Sequence, residues 1–189
     1  MMLTTISKIT VKLHRAFNYL RIHQERQKFS QNKASTVHQT FRLGYDNTVY
    51  ISPSARVEIG SEVTINQNNF ITLKDNSVLK IGDGTYITRA TISCLDEIEI
   101  GENCILGEGL KIFDHNHLHT SEPFSVSKTE FTTGKITLGN RIWTGANVTI
   151  LKGVTICDNV ILGAGVLIYK DVPANSMVTL KQELRITSL

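Results

Sequence analysis

Three of the six histidines in this 189-residue chain fall within five positions, at His115, His117 and His119. An imidazole titrates near neutral pH, so it can take a proton from a weak nucleophile or, unprotonated, hold a metal ion. Asp114 precedes the first of them and is a carboxylate able to orient its ring. Alternate residues of a strand share a face, so His-x-His-x-His also fits a metal-binding row. Histidines of a solvated loop are a third reading. On the residues alone all three stay open.

Whatever these side chains do, the chain around them must hold them, and it does so with a beat of six. Ile142, Val148, Val154, Val160, Val166, Val172 and Val178 recur at that spacing, and Leu138, Thr144, Ile150, Ile156, Leu162 and Ile168 form a second row. Seven glycines follow an Ile or Leu directly, at Gly44, Gly60, Gly82, Gly101, Gly107, Gly139 and Gly163. Earlier stretches, from about residue 50, repeat the theme with phase slips. Neither a helical period nor plain alternation explains both rows and the glycines. Two inward aliphatics per hexad make one short strand, and three strands close a coil of 18 residues that buries its face only on the next coil. Gly and Asn at the corners accept the backbone angles needed there. The expected fold is mainly β, a left-handed parallel β-helix with a short N-terminal helical leader and one long protruding loop. That loop, residues 113–135, is where the beat is lost and where the histidines lie; a long excursion from a rigid scaffold is a natural place for function.

Composition narrows the partners. Twenty Lys and Arg against 17 Asp and Glu give a net charge of only +3, and 41% of residues are hydrophobic. That excludes a disordered chain and gives no support for a nucleic-acid partner. The charge is uneven. Residues 1–30 carry Lys8, Lys12, Arg15, Arg21, Arg26 and Lys28 against Glu25, a local +5 that leaves −2 for the rest. Leu3, Ile6, Leu13, Phe17 and Leu20 fall at helical spacings among them. This stripe predicts a helix that packs on the body or on another subunit, or one that rests on an anionic lipid surface through residues 1–30. The expected layout is a leader and linker over 1–40, the β-helix over 41–180 and a tail over 181–189. Cys94, Cys104 and Cys157 have no metal-ligand spacing and read as reduced, buried thiols of a cytoplasmic protein. No secretory signal is visible.

The run Leu138-Gly139-Asn140-Arg141-Ile142-Trp143-Thr144-Gly145-Ala146-Asn147-Val148, with Val160-Ile161-Leu162-Gly163-Ala164-Gly165 and Lys170-Asp171-Val172-Pro173-Ala174-Asn175-Ser176 after it, resembles the hexapeptide-repeat acyltransferases and their signature I-G-x-x-V-W-I-G-x-x-V. The nearest branch is the sugar and surface-polysaccharide O-acetyltransferases, similar to maltose and galactoside enzymes. The resemblance implies acetyl-CoA as co-substrate, no metal, a glycan or sugar acceptor, and a homotrimer with each site between two solenoids. It implies a catalytic histidine at the mouth of the loop, which falls on His115, with His117 and then His119 behind it and Asp114 as orienting carboxylate. Ala146 and Ala164, 18 residues apart, match positions where the pantetheine arm passes closely. Lys170 matches a residue near the coenzyme phosphates, Tyr169 one able to touch coenzyme or acceptor, and Trp143 one that lines the acceptor or thioester pocket or packs at a subunit contact.

Two stretches depart from the family pattern. After Asn175-Ser176 the chain reads Met177-Val178-Thr179-Leu180, so coenzyme contacts beyond Val178 are not implied. Where simple-sugar members carry an acceptor-binding Asn, this sequence has Thr88-Arg89-Ala90-Thr91, while Asn68 and Asn69 read as stacked corner asparagines. Two other readings compete. One is N-acetylation of an amino-sugar nucleotide. The other is a zinc-binding β-helix similar to the γ-carbonic anhydrases, a family that draws its histidines from separate coils.

Overall fold

The computed structural model describes residues 2–181 and 187, and their side chains except those of residues 2–10 and 13–15. Most of the tail expected at 181–189, and the side chains of Leu3, Ile6, Lys8, Leu13 and Arg15, therefore lie outside the described residues.

The six-residue beat becomes a left-handed β-helix with three parallel faces. The first face has six strands, from Thr36–Val37 to Thr155–Ile156; the second has seven, from Arg42–Leu43 to Met177–Val178; the third has six, from Thr48–Ile51 to Leu167–Ile168. Each strand pairs with the equivalent strand one coil on, so identical inward positions stack. On the third face Val49, Ile71, Ile92, Ile112, Ile150 and Ile168 form one continuous ladder. All six are buried. Burial of one such side chain contributes about 1.5–3 kcal/mol, which a six-residue repeat supplies at every turn. Both sequence rows point inward, and even Thr144, which interrupts the aliphatic row, is fully buried. Its hydroxyl accepts the Gly107 N–H at 2.8 Å, so the polar group is satisfied inside the stack.

The corners explain the asparagines. Among the described residues, six of the ten non-glycine positions with positive φ are Asn, including Asn68, Asn103 and Asn147. Asparagine tolerates that region better than branched side chains do. Asn69, next to one of them, is buried in a ladder: its amide donates to Asn47 Oδ1 at 2.9 Å, and its own oxygen accepts the Ala90 N–H at 2.7 Å.

Several expectations need correction. Coils begin at Thr36, so the segment read as linker already belongs partly to the solenoid, where Ser35 Oγ accepts the Val57 N–H at 3.0 Å. Cys94 and Cys104 are buried as expected, but Cys157 is exposed, because it follows the inward Ile156 and points out. The helix Met2–Lys28 is present, but Phe17 and Leu20, the two stripe residues with described side chains, do not make its contact with the body. Ile22 packs on the core, Arg21 pairs with Asp46 at 2.8 Å, and Lys28 Nζ donates to the Val49 carbonyl at 2.8 Å. Phe29, fully buried, meets Phe41 edge-on at 5.3 Å and closes the first coil. Phe17 and Leu20 of the stripe stay exposed.

The outer surfaces of the faces differ. The first carries a charge ladder, with Lys80 on Glu97 at 2.9 Å and Lys135 on Glu99 at 2.7 Å. The Lys80 hydrogen bond is the main reason that Glu97 titrates below the usual carboxylate range. The second carries an apolar column of Tyr86, Ile105, Trp143 and Met177, in register across coils and exposed.

Candidate active site

Among the described residues the solenoid is interrupted once, at the edge between the third and first faces. Strand Lys111–Phe113 ends the fourth coil, and strand Ile136–Leu138 opens the fifth. Between them strands His115–Ser121 and Phe124–Thr133 form an antiparallel hairpin. Its root is tied down: the Gly134 N–H donates to the Asp114 carbonyl at 2.8 Å, and the Gly153 N–H to the Gly134 carbonyl at 3.0 Å.

Asp114 is the pivot. It is fully buried, and its carboxylate reaches into the corner of the preceding coil. There it accepts the Leu95 N–H at 2.9 and 3.0 Å and the Asp96 N–H at 2.7 Å. One of the same oxygens lies 3.0 Å from His115 Nδ1. An acceptor at that position assigns the hydrogen to Nδ1 and leaves the Nε2 lone pair available. The ring is further bracketed by Phe113 and Phe131, both edge-on, at 6.3 and 5.3 Å between centroids. The His115 side chain retains 15% of its exposure, so it is held yet reachable.

His117 sits differently. Its Nδ1 lies 2.8 Å from the Ser127 carbonyl and donates to it, and the ring packs on Phe131 at 4.6 Å. Beyond His117 the hairpin register slips: His117 faces Phe131, but His119 faces Val126. The slip gives His119 a different partner-strand environment from that of His115 and His117. Among the described residues no group of three His, Cys, Asp or Glu is placed to hold a metal ion.

Below the corner, burial and then the nearby Asp114 charge push the Cys94 thiol far above its ordinary range. Burial likewise pushes up Cys104. A thiol kept protonated is a poor nucleophile, so both act as core filling.

The remaining candidates divide between two edges. Tyr169 and Lys170 lie between Ile168 of the third face and Val172, which bridges to the first face. They share the edge of His115, two coils further on, with Lys170 Nζ 5.5 Å from the Tyr169 ring centre. Ala146 and Ala164 lie on another edge, between the second and third faces, in successive coils joined by the Gly165 N–H to the Ala146 carbonyl at 2.8 Å. Both are exposed. A Cβ on Gly145 would come within 2.7 Å of the Ala164 nitrogen, so small residues here let coils approach closely. Trp143 stands on the outside of the second face, 53% exposed. One chain thus brings Asp114, His115 and His117 together and keeps Trp143, Ala146 and Ala164 apart from them.

The rings of Phe113 and Phe131 and the Leu95 and Asp96 amides escape sequence reasoning. Only the proximity of Phe113 to His115 in the chain hints at any of them.

The family described as bacterial transferase hexapeptide (six repeats) matches residues 135–170. YvoF of Bacillus subtilis (strain 168) is 36% identical over 83 residues, covering 44% of this chain and 43% of that protein. Galactoside O-acetyltransferase of Escherichia coli (strain K12) is 29% identical over 150 residues, covering 77% of this chain and 63% of that protein. The chain thus spans less than two thirds of either relative. A solved structure of a maltose O-acetyltransferase from Clostridium difficile 630 shares the fold, with a TM-score of 0.55 and 21% identity, over 93% of this chain and 82% of that one. No helix among the described residues is long and apolar enough to cross a membrane. With its coils in hexapeptide register, the chain is thus similar to hexapeptide transferases over residues 135–170 and to a galactoside O-acetyltransferase over a longer stretch.

Proposed function

We propose that this chain is an acetyl-CoA-dependent O-acetyltransferase whose acceptor is a hydroxyl of a bacterial surface polysaccharide or its precursor, with His115 as general base. The observation that carries the reading is the Asp114–His115 pair at the hairpin root, with Nδ1 engaged and Nε2 left to accept a proton. Nε2 takes the proton of the sugar hydroxyl as the oxygen attacks the thioester carbonyl. The carbon–sulfur bond then breaks, the acetyl group stays on the sugar oxygen, and the imidazolium returns the proton to the departing CoA thiolate. No acyl-enzyme forms. The protonated state of the buried thiols supports direct transfer.

Acetyl-CoA fits the small-residue edge, where exposed Ala146 and Ala164 offer a flat backbone path, while Lys170 on the edge of His115 offers a cation for phosphate. That path and His115 lie on different edges of one prism, so a site using both needs two copies. A homotrimer supplies them, and the exposed apolar column Tyr86, Ile105, Trp143 and Met177 is the surface available for its contacts. The name of the Escherichia coli relative suggests a sugar acceptor. The stretch where simple-sugar enzymes have their acceptor Asn holds Arg89, paired with Glu108 at 2.6 Å, and this departure speaks against a maltose- or galactoside-like acceptor. Such precursors place the enzyme in the cytoplasm beside the membrane.

The test is CoA thiol release with purified glycan, read together with the mass gain of one acetyl group on the product. Mixing His115→Ala with Ala146→Trp chains tests the shared site. Each is inactive alone, and random trimers regain about a quarter of wild-type activity if His115 and Ala146 act across subunits. Thiol release without glycan acetylation, or no recovery on mixing, defeats the reading.

A further inference from the structure

The leader helix is docked by the wrong face for its apolar stripe. We propose that the stripe ending in Phe17 and Leu20 lies on an anionic lipid surface, holding the solenoid against the membrane. The inference rests on the placement beside the membrane proposed above and adds the surface that makes the contact.

At 3.6 residues per turn, Phe17 and Leu20 lie about 140° and 160° around the helix from Ile22, the residue that packs on the core. The body therefore holds one side through Ile22, Arg21 on Asp46, Arg26 on the Gln39 carbonyl and Lys28 on the Val49 carbonyl. The opposite side is left in solvent, with Phe17 64% and Leu20 59% exposed. In the sequence the same spacing continues to Leu13, Ile6 and Leu3.

Charge selects the occupant. The helix holds six Lys and Arg against Glu25, whereas the rest of the chain is net negative, so a second copy of this helix would be repelled and an anionic bilayer attracted. Lys12, exposed, falls about 80° from Leu20 and flanks the stripe as a cation of an interfacial helix does. A rigid dock on one side and a bare apolar stripe on the other suit a peripheral anchor whose cargo must face glycan precursors held in the same membrane.

The test uses the full chain and vesicles of phosphatidylcholine with or without about one-third phosphatidylglycerol. The expected result is co-sedimentation with the anionic vesicles alone, weakening as salt rises from about 0.1 M to about 0.5 M. Phe17→Ser with Leu20→Ser lowers binding more than tenfold, and Lys12→Gln about fivefold. Both variants keep the wild-type rate on a soluble glycan fragment. That parallel assay separates failure of the anchor from failure of the acetyl-transfer reading. Unchanged vesicle binding in Phe17→Ser/Leu20→Ser overturns the assignment of the surface while leaving the membrane placement intact. No binding to anionic vesicles overturns both. A smaller oligomer on sedimentation of that variant, without loss of vesicle binding, assigns the stripe to a second copy instead.

Discussion

The solenoid coils and the hairpin at 115–133 are both β structure, yet they are held together by opposite means. In the coils every strand between the terminal ones has a neighbour above and below, and the inward side chain is buried between two equivalents, as Ile71 is between Val49 and Ile92. In the hairpin nearly every residue is exposed, Phe124 to 76%, and the two strands pair only with each other. The coils are therefore stabilised by repetition, and the hairpin is positioned by its root. Asp114 is the joint: its side chain is bonded into the corner of one coil, and its neighbour His115 starts the excursion. Stability resides in one region, and the chemistry proposed for His115 at its border with the other.

The widest separation of the two should appear with His115→Ala. Loss of a positioned general base lowers kcat by about 10²–10⁴-fold. Because the residue belongs to the hairpin, the thermal midpoint should move little. A comparable fall in both rate and midpoint would make His115 part of the scaffold and erase the distinction.

Truncations of apolar side chains sharpen the contrast from the stability side. Ile71→Ala, within the ladder, should cost about 2–5 kcal/mol in denaturant unfolding. Phe124→Ala removes a larger side chain from the hairpin and should stay within about 0.5 kcal/mol. If Phe124→Ala costs as much as Ile71→Ala, the hairpin is covered by something that shields it, and a neighbouring subunit becomes the first suspect.

The coils also carry a pH signature. The thiols of Cys94 and Cys104 titrate above their ordinary value of 9.0 because burial disfavours the thiolate. A group with a raised folded-state pKa keeps its full contribution below the unfolded value and loses it above. Stability should thus hold to about pH 9 and then fall by up to about 1.4 kcal/mol per pH unit for each thiol. Other groups titrate there too, so the readout is the difference in slope between the wild type and Cys94→Ala/Cys104→Ala. Parallel slopes would mean that the thiols are hydrated in the folded state.

The two regions were not equally legible in the sequence. The coils were, because packing on the next coil forces the same residue types at every sixth position; Val37, Leu43 and Val49 even carry the beat into the first coil, ahead of the start assigned to it. Gly and Asn at corners were legible because positive φ restricts the choice. The clustering of His115, His117 and His119 was plain, but what divides their roles was not. That division depends on Leu95 and Asp96, 18 to 20 residues upstream, and on a register slip after His117. Neither has a local signal. The leader misled in another way: periodicity finds an apolar stripe, but docking on the body is set by single residues such as Ile22 and Lys28 that belong to no pattern.

The smallest expected effect falls on His117, and it decides whether proximity or partnership makes the base. His115 and His117 are two residues apart, and both touch Phe131. They differ in what their Nδ1 meets: a buried carboxylate for His115, an exposed carbonyl of the hairpin for His117. A carbonyl fixes the ring but carries no formal charge to orient a base, so His117 mainly braces the slip between the strands. His117→Ala forfeits one hydrogen bond of about 1 kcal/mol, so the rate should fall about fivefold, through KM more than kcat. His117→Asn can offer an N–H to the same Ser127 carbonyl and should recover most of that loss. The acid limb of the pH–rate profile should persist in both variants, since the titrating base is still present. Were that limb to vanish with His117 and survive in His115→Ala, the roles of the two histidines would be exchanged, and the buried Asp114 would be a device for anchoring the hairpin alone.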